Sequence, residues 1–262
     1  MFALAAGAAL LLETAAPGTT LRFGMDTRGA PGSFVPALEG RQEDHRLAPQ
    51  VTREQLRSLT GIEVDILRAL ARVMGATPEI VPTSWFDYEK ELVAGHVDLI
   101  LGSWTPTPQT PAAIAASSSY YDWGILVAVR ADSPVRTLAD LEGRRVGHIP
   151  DPAVEPAFLA MQDGLQTPFV VVEDGEKLFE ELFAGRIDAL LYDSMYVRWR
   201  ARQGAPLRVL GKPLNRLGYH VGVLRSRPDL LDRTNAAIKA LQESGELAKI
   251  RGRWEGDAAS GR

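Results

Sequence analysis

The sequence predicts an α/β protein built from two similar lobes, and three observations lead to that prediction. Strand-like and helix-like segments alternate along most of the chain, which is typical of folds with largely parallel sheets. One helix-turn-strand segment occurs twice, and a further strand and helix follow the second copy. Because two copies are too few for a solenoid, the repeat indicates two lobes that each hold one copy.

The first lobe is predicted to begin with a strand at 21–25 and to continue with a long helix. Apolar residues recur at helical spacing from Leu59 to Met74, and Gly75 stands where a left-handed residue ends a helix. Between this strand and this helix, residues 27–60 are rich in glycine, proline and charge, so we expect a long loop. Further strands are expected at 79–81, 97–101 and 125–129.

The repeated segment spans residues 91–103 and 181–193, which read ELVAGHVDLILGS and ELFAGRIDALLYD. Six of the thirteen aligned positions are identical, and each copy predicts a helix, a glycine cap and a buried strand. The alternative is chance similarity between two ordinary helix-strand units, since glycine caps before strands are common. The copies end at Ser103 and Asp193, and ligands of open α/β sheets bind beyond such strand ends.

The composition excludes several classes of function. Lys and Arg number 29 and Asp and Glu 33, so the net charge of -4 offers no attraction to nucleic acid. The absence of cysteine excludes disulfides and thiolate metal sites, and the four histidines are scattered. No phosphate-binding loop or nucleophile motif occurs in the sequence. We therefore expect no cofactor, no metal and no catalytic residues, and hence a binding protein instead of an enzyme.

The first residues predict export from the cytoplasm. Residues 1–18 open with an apolar run from Met1 to Leu12 that is too short to span a bilayer, and small residues typical of a cleavage zone follow it. No Lys or Arg precedes the run, so a buried N-terminal helix is the alternative. We expect a signal peptide over 1–18 and a periplasmic or extracellular protein.

Several short segments fall in the order and spacing of a known family. They are 61–65 (GIEVD), Trp85, Thr107 with Pro108, 119–121 (SYY), 138–147 (LADLEGRRVG), 188–194 (DALLYDS) and 245–250 (GELAKI) with Trp254. In this ordered combination the chain resembles the periplasmic solute-binding proteins of polar amino acid ABC transporters, the bacterial extracellular solute-binding protein family 3. The resemblance covers nearly all of residues 21–254.

The resemblance implies the type II periplasmic binding protein fold, in which two Rossmann-like lobes are joined by a two-strand hinge. Lobe 1 would comprise residues 19–128 and 217–262, and lobe 2 residues 129–216. Such a protein is an extracytoplasmic monomer that closes on a small amino-acid-like or cationic solute and delivers it to an ABC transporter permease in the membrane. The alternatives on the same fold are a ligand sensor or accessory binding protein and, less in keeping with the residues, a dehydratase-like enzyme.

The resemblance also implies which residues bind the ligand. Ser103, Thr105 and Asp193 match the positions that hold the α-ammonium of an amino acid, and a buried cation needs such acceptors and a countercharge. The carboxylate half of the site differs, because Thr110 stands where the family has a clamping arginine.

A second departure lies in the turn after Gly147, where the family's glycine and threonines supply donors. Here residues 150–153 read PDPA, and the prolines lack N–H groups while Asp151 repels anions. We therefore expect a solute with a cationic group and no adjacent carboxylate, unless Arg28 or Arg216 replaces the missing clamp.

Aromatic residues complete the predicted site. The family's aromatic positions near the first loop fall on glycines here, which leaves Phe34 displaced. Trp85, Trp104 and Trp123 remain as candidates to line the site. Trp104 lies in sequence between the two predicted hydroxyl contacts, where its ring would stack on a cation or pack in the core.

Overall fold

The computed structural model describes residues 18–38, 46–164 and 167–255, so residues 1–17 of the predicted signal peptide lie outside the described part of the chain. The described residues form two compact units. Unit 1 falls within Met1–Trp104, Gln109–Tyr120 and His220–Arg262, and unit 2 falls within Thr105–Pro108 and Tyr121–Tyr219. The structure contains two five-stranded sheets, one in each unit, which confirms the predicted α/β class.

Strands and helices alternate along the chain as predicted. The strands are β1 (Thr19–Met25), β2 (Arg28–Gly29), β3 (Ser33–Phe34), β4 (Ala76–Pro82), β5 (Leu99–Ile100), β6 (Ile114–Trp123), β7 (Ile125–Arg130), β8 (Val146–His148), β9 (Phe169–Val171), β10 (Ala189–Asp193), β11 (Leu207–Leu210) and β12 (Leu217–Leu224). The helices are α1 (Arg53–Arg57), α2 (Ile62–Val73), α3 (Tyr88–Val93), α4 (Glu155–Gly164), α5 (Gly175–Phe183), α6 (Ser194–Arg202), α7 (Pro228–Glu243) and α8 (Glu246–Glu255). Within the described ranges, every helix is too short or too polar to cross a membrane.

Each five-stranded sheet contains one strand that is parallel to both of its neighbours. The first sheet has the order β4-β1-β5-β12-β6, and β1 runs parallel to both β4 and β5. The second sheet has the order β11-β7-β10-β8-β9, and β8 runs parallel to both β9 and β10. Because parallel strands end at the same edge, residues after β1 and β5 lie at one edge in unit 1, and residues after β8 and β10 at one edge in unit 2.

Helix α2 shows why the predicted helix forms where it does. Most of its apolar side chains are buried in the core of unit 1, and Gly75 follows it with a φ of 63°, as predicted for the residue that ends the helix. Gly61 precedes the helix with a φ of 138°. A Cβ on Gly61 would lie 2.0 Å from the carbonyl oxygen of Gly32, so only glycine permits this close approach.

The predicted loop at 27–60 is tied together where it meets α2. Phe34 and Thr60 exchange two backbone hydrogen bonds, with N–H···O distances of 2.8 and 3.0 Å. Between these two residues, the described part of the loop contains one turn of 3-10 helix at 36–38 and α1, whose N-cap Thr52 forms a capping box with Gln55. The segment between Phe34 and Thr60 therefore begins and ends at the same place, next to the start of α2.

The repeated segment forms the same structure in both units. Its first copy is α3 followed by β5, and its second copy is α5 followed by β10. Gly95 and Gly185 stand between helix and strand with φ values of 74° and 72°. The predicted unit of helix, glycine cap and buried strand is confirmed in each copy.

The chain passes from the first sheet to the second at Gly124, between the end of β6 and the start of β7. A Cβ on Gly124 would lie 2.3 Å from the carbonyl oxygen of Asn215, so the glycine permits a close approach of two segments. The resemblance implies a change of lobe after residue 128, whereas the compact units change at Tyr120 and Tyr121 and again at Tyr219 and His220.

Candidate ligand-binding site

Trp85 connects the ends of two parallel strands in unit 1. Its backbone N–H donates to Asp26 Oδ2 at 3.1 Å, just after β1, and its indole Nε1 donates to the carbonyl oxygen of Ser103 at 3.2 Å, just after β5. The structure thus brings two predicted site residues, Trp85 and Ser103, into direct contact. Asp26 was not predicted, although its position directly after the first strand is the signal that could have found it.

Ser103 is held by a buried carboxylate. Its backbone N–H donates to Glu63 Oε1, and its hydroxyl lies 3.2 Å from Glu63 Oε2. Glu63 is 2% exposed and also accepts a hydrogen bond of 2.7 Å from the hydroxyl of Tyr120. Burial raises the pKa of Glu63, while the hydrogen bonds from Tyr120 and Ser103 act to lower it.

Arg28, one of the two candidate replacements for the clamp, pairs with Asp26. Its Nε lies 2.9 Å from Asp26 Oδ1 and one of its terminal nitrogens 2.6 Å from Asp26 Oδ2, which is a bidentate pair. The two side chains are 8% and 15% exposed. The other candidate, Arg216, lies 2.5 Å from Asp122 on the surface of unit 2. Each arginine therefore has a carboxylate of this chain as its counterion.

Trp104 and Thr110 share one acceptor in unit 1. The indole Nε1 of Trp104 donates to Glu89 Oε1 at 3.1 Å, and the hydroxyl of Thr110 donates to the same oxygen at 2.8 Å. Trp104 is 4% exposed and packs in a core cluster with Leu92 and Ile100, so the structure places its ring in the core. At the position where the family has an arginine, this chain has a hydroxyl bonded to a carboxylate.

Phe34 packs against the C-terminal helix of unit 1. It is 8% exposed, and its ring meets that of Trp254 edge-on with a centroid distance of 6.3 Å. Its backbone is fixed by the two hydrogen bonds to Thr60. Phe34 therefore has a packing role against α8.

Thr105 belongs to unit 2, although it follows Ser103 by two residues. Its hydroxyl donates to the carbonyl oxygen of Gly218 at 3.0 Å and accepts from the indole Nε1 of Trp123 at 3.0 Å. The ring of Trp123 stacks on Tyr219 with a centroid distance of 5.1 Å. A threonine hydroxyl has two acceptor lone pairs, so this arrangement leaves acceptor capacity at Thr105.

Asp193 ends β10 and begins α6. Its Oδ1 accepts a hydrogen bond of 2.7 Å from the backbone N–H of Met195, which makes it the N-cap of the helix. The residue is 6% exposed. A buried carboxylate therefore lies at the carboxyl end of β10, the edge of the sheet where ligands of α/β proteins bind.

Asp151 fills the turn between β8 and α4. Its Oδ1 accepts from the backbone N–H of Ala153 at 2.8 Å, and its carbonyl oxygen accepts from Val154 at 2.9 Å and Glu155 at 3.2 Å. Pro152 has no N–H group to offer. Burial raises the pKa of Asp151 to about 6, against the smaller effect of the hydrogen bond from Ala153. The backbone donors at the start of this helix are thus bonded within the turn.

Among the described residues, no group of three or more His, Asp or Glu side chains is arranged to hold a metal ion.

Comparison with known proteins places these features in a family. The sequence profile of the bacterial extracellular solute-binding proteins, family 3, matches residues 44–257. The chain is 26% identical over 204 residues to the arginine-binding extracellular protein ArtP of Bacillus subtilis (strain 168), which covers 75% of this chain and 78% of that protein. It is also 26% identical over 201 residues to the L-cystine-binding protein TcyJ of Escherichia coli (strain K12), with 76% and 75% covered.

A solved structure shows the same fold. The crystal structure of the ancestral amino acid-binding protein AncCDT-1, a precursor of cyclohexadienyl dehydratase, superposes with a TM-score of 0.73 at 23% identity, over 90% of this chain and 95% of that chain. The predicted type II periplasmic binding protein fold and the predicted solute-binding function are confirmed by these matches. The chain belongs to the bacterial extracellular solute-binding proteins, family 3.

Proposed function

We propose that this protein is the substrate-binding component of an ABC transporter and that its solute carries a cationic group without an adjacent carboxylate. The observation that carries this preference is the turn before α4, where Asp151 accepts the hydrogen bonds of Ala153, Val154 and Glu155. A ligand carboxylate would meet a like charge at this turn and would find its donors already bonded.

Asp193 adds a second carboxylate to the same edge of unit 2. Strands β8 and β10 are parallel neighbours. Asp193 is the last residue of β10 and Asp151 follows β8 by three residues, so both lie at the carboxyl ends of adjacent strands. Asp193 is buried, and a buried carboxylate attracts an ammonium strongly because little water competes for either charge. Two acidic side chains at one edge favour a cation over an anion.

The three hydroxyls of the predicted site support the same polarity. Ser103 lies within hydrogen-bond distance of the Glu63 carboxylate, Thr105 donates to the carbonyl of Gly218, and Thr110 donates to Glu89. A hydroxyl has one proton, so a hydroxyl that donates internally offers only lone pairs to a ligand. An ammonium group donates hydrogen bonds and accepts none, whereas a carboxylate only accepts them.

We infer that the protein binds its solute without transforming it and acts as a monomer outside the cytoplasm with a membrane permease as its partner. The two relatives ArtP and TcyJ are named as binding proteins, and the matched family is described as extracellular. A compound that binds can be incubated with the purified protein, released and weighed by mass spectrometry. We expect its mass to equal that of the compound that was added. A product of altered mass would contradict the inference.

A thermal-shift screen tests the proposed ligand class. The panel should contain primary amines, quaternary ammonium compounds, arginine, glutamate, sugars and dicarboxylic acids. A ligand at a hundred times its Kd stabilises the folded protein by about 2.7 kcal/mol. For a protein of this size that corresponds to a rise in Tm of roughly 5–10 °C.

We expect amines without a neighbouring carboxylate to raise Tm and dicarboxylic acids to leave it unchanged. Tight binding of glutamate, with no response to amines, would contradict the proposal. In that case a donor such as Arg28 must leave its own carboxylate partner to hold the ligand.

A further inference from the structure

We propose that Glu63 is a positioning residue that fixes the backbone and the hydroxyl polarity of Ser103, and so makes Ser103 an acceptor for N–H donors of the solute. This inference rests on the proposed function in one respect, namely that Ser103 contacts the ligand. Its structural part concerns unit 1 alone.

Ser103 has a backbone conformation that needs support. Its φ is 52°, and it is the sole non-glycine residue with a positive φ in the described ranges. L-residues avoid this left-handed region, so such a residue persists where its surroundings fix it. Gly102 precedes it with a φ of 145°, and a Cβ there would lie 2.5 Å from the hydroxyl of Tyr88.

Glu63 and Trp85 supply that support from two directions. The carboxylate of Glu63 accepts the backbone N–H of Ser103, and the indole of Trp85 donates to the carbonyl of Ser103. Both peptide groups that flank the Ser103 Cα are therefore anchored by side chains. The second residue of α2 thus controls a loop that is forty positions later in the sequence.

Glu63 is buried, so its carboxyl group loses hydration, and its hydrogen bonds must offset that loss. The side chain is 2% exposed, and an apolar residue of similar size would avoid the loss of hydration. The carboxylate instead meets three donors, which are the N–H and the hydroxyl of Ser103 and the hydroxyl of Tyr120. Without it, the partly buried N–H of Ser103 would lose a charged acceptor.

When Glu63 is ionised, its carboxylate also sets the direction of the hydrogen bond with the Ser103 hydroxyl. A carboxylate accepts hydrogen bonds and cannot donate them, so the hydroxyl must be the donor in its contact with Oε2. A hydroxyl that donates its one proton to Glu63 can meet the solute only as an acceptor. A glutamine at this position would present an amide group instead and would release the hydroxyl to donate.

The test compares Glu63→Gln and Ser103→Ala with wild type at pH 8, because the proposed polarity requires an ionised Glu63 and a higher pH favours ionisation. The probes are 1,4-diaminobutane, which donates N–H bonds, and tetramethylammonium, which is cationic but has no N–H group. Titration calorimetry gives the affinities. Nuclear magnetic resonance of the ligand-free proteins gives the signals of the Ser103 amide and the Trp85 indole, assigned with Trp85→Phe.

We expect Glu63→Gln to shift both resonances in the ligand-free protein and to weaken diaminobutane binding about tenfold, as loss of one hydrogen bond to a charged group implies. Tetramethylammonium binding should change less than about twofold, because this probe donates no hydrogen bond. Ser103→Ala should weaken diaminobutane to the same extent. Glu91→Gln is the matched control. Glu91 lies on α3 and its carboxylate contacts His96 in the following turn, so this change should leave both resonances and both affinities unchanged.

The outcomes separate this inference from the proposed function. Unchanged Ser103 and Trp85 resonances in Glu63→Gln would overturn the positioning role whatever the protein binds. Equal weakening of both probes would overturn the polarity argument. If the resonances shift but wild type binds neither cation, the proposed ligand class fails while the control of Ser103 by Glu63 stands. If Glu63→Gln does not fold, unaltered diaminobutane binding by Ser103→Ala still refutes the inference.

Discussion

The two copies of the repeat differ at their ends far more than in their scaffolds. In unit 1, Arg22 forms a two-point contact with Asp98 at 3.0 and 3.1 Å and donates to the carbonyl of Gly95 at 3.0 Å. In unit 2, Arg145 forms the same contact with Asp188 at 3.1 and 3.2 Å and donates to the carbonyl of Gly185 at 2.9 Å. An arginine thus fastens the glycine cap to the strand in both units.

The copies diverge at the carboxyl ends of their strands. In unit 1, β5 runs into Gly102 and Ser103, whose positive φ values turn a serine toward Glu63. In unit 2, β10 ends on Asp193, which caps α6 instead. The scaffold that sets position is shared, whereas the chemistry at its end is specific to each unit. The carboxyl ends of the strands are therefore where changes should alter binding more than stability.

The largest effect is expected from Asp193→Asn. Loss of a buried countercharge should weaken binding of a cationic probe about a hundredfold. Asparagine is also a good N-cap, so Tm should change little. Titration calorimetry measures the loss of affinity, and a thermal melt checks that the Tm is retained. Thr110→Ala is the comparison in unit 1 and should weaken binding much less; an equal loss in both variants would remove the special role of Asp193.

Asp151→Asn should make the protein more stable and its cation binding weaker. The pKa of Asp151 is raised from 3.8 to about 6, so the folded state disfavours the charged form. Well below pH 3.8, Asp151 is protonated in both states. As the pH rises from 3.8 through about 6, the unfolded chain releases the proton more readily than the folded one, so the folded state loses stability. Asparagine stays neutral, so the gain should reach at most about 3 kcal/mol at pH 7.5 and vanish at low pH.

Thermal melts of wild type and Asp151→Asn at pH 4 and pH 7.5 measure this difference. The quantity of interest is the change in Tm between variant and wild type, because other groups titrate equally in both proteins. A variant that is equally stabilised at the two pH values would show that the Asp151 carboxylate is not strained by burial.

The smallest effect concerns the shared scaffold. Arg22→Ala and Arg145→Ala should each lower the Tm slightly and to a similar extent, because both arginines are well exposed and water screens their ion pairs. Arg186→Ala, which removes a pair with Glu181 at the surface, is the control and should have less effect. A loss confined to one of the two variants would break the equivalence of the copies.

The sequence alone predicted the elements whose signals are local. Helix α2 and Gly75 follow from apolar spacing and the left-handed cap, and both repeats follow from a pattern of thirteen residues. The residues that hold the strand ends were harder to find. Glu63 and Glu89 are acidic residues on helices, and a single sequence does not show which acidic residue turns inward to meet a distant loop.

Trp104 illustrates the same limit from the apolar side. Its place between Ser103 and Thr105 in the sequence suits a ligand contact and a core position equally well. Its burial depends on residues from three separate segments, including Tyr88, Ile100 and Ile114. Tertiary packing of this kind has no local signature, so the choice between the two roles needed the structure.

The anchoring of the long loop in unit 1 has a practical consequence for protein engineering. The Phe34 to Thr60 hydrogen bonds and the contact of Gly32 with Gly61 fix both ends of the intervening segment at one place. The closure entropy of such a loop changes by only about 0.6 kcal/mol for each doubling of its length. A tag or a reporter peptide inserted between those anchors should therefore lengthen the loop at a small cost in stability. Asp26 and α2, which lie outside the anchors, should keep their positions.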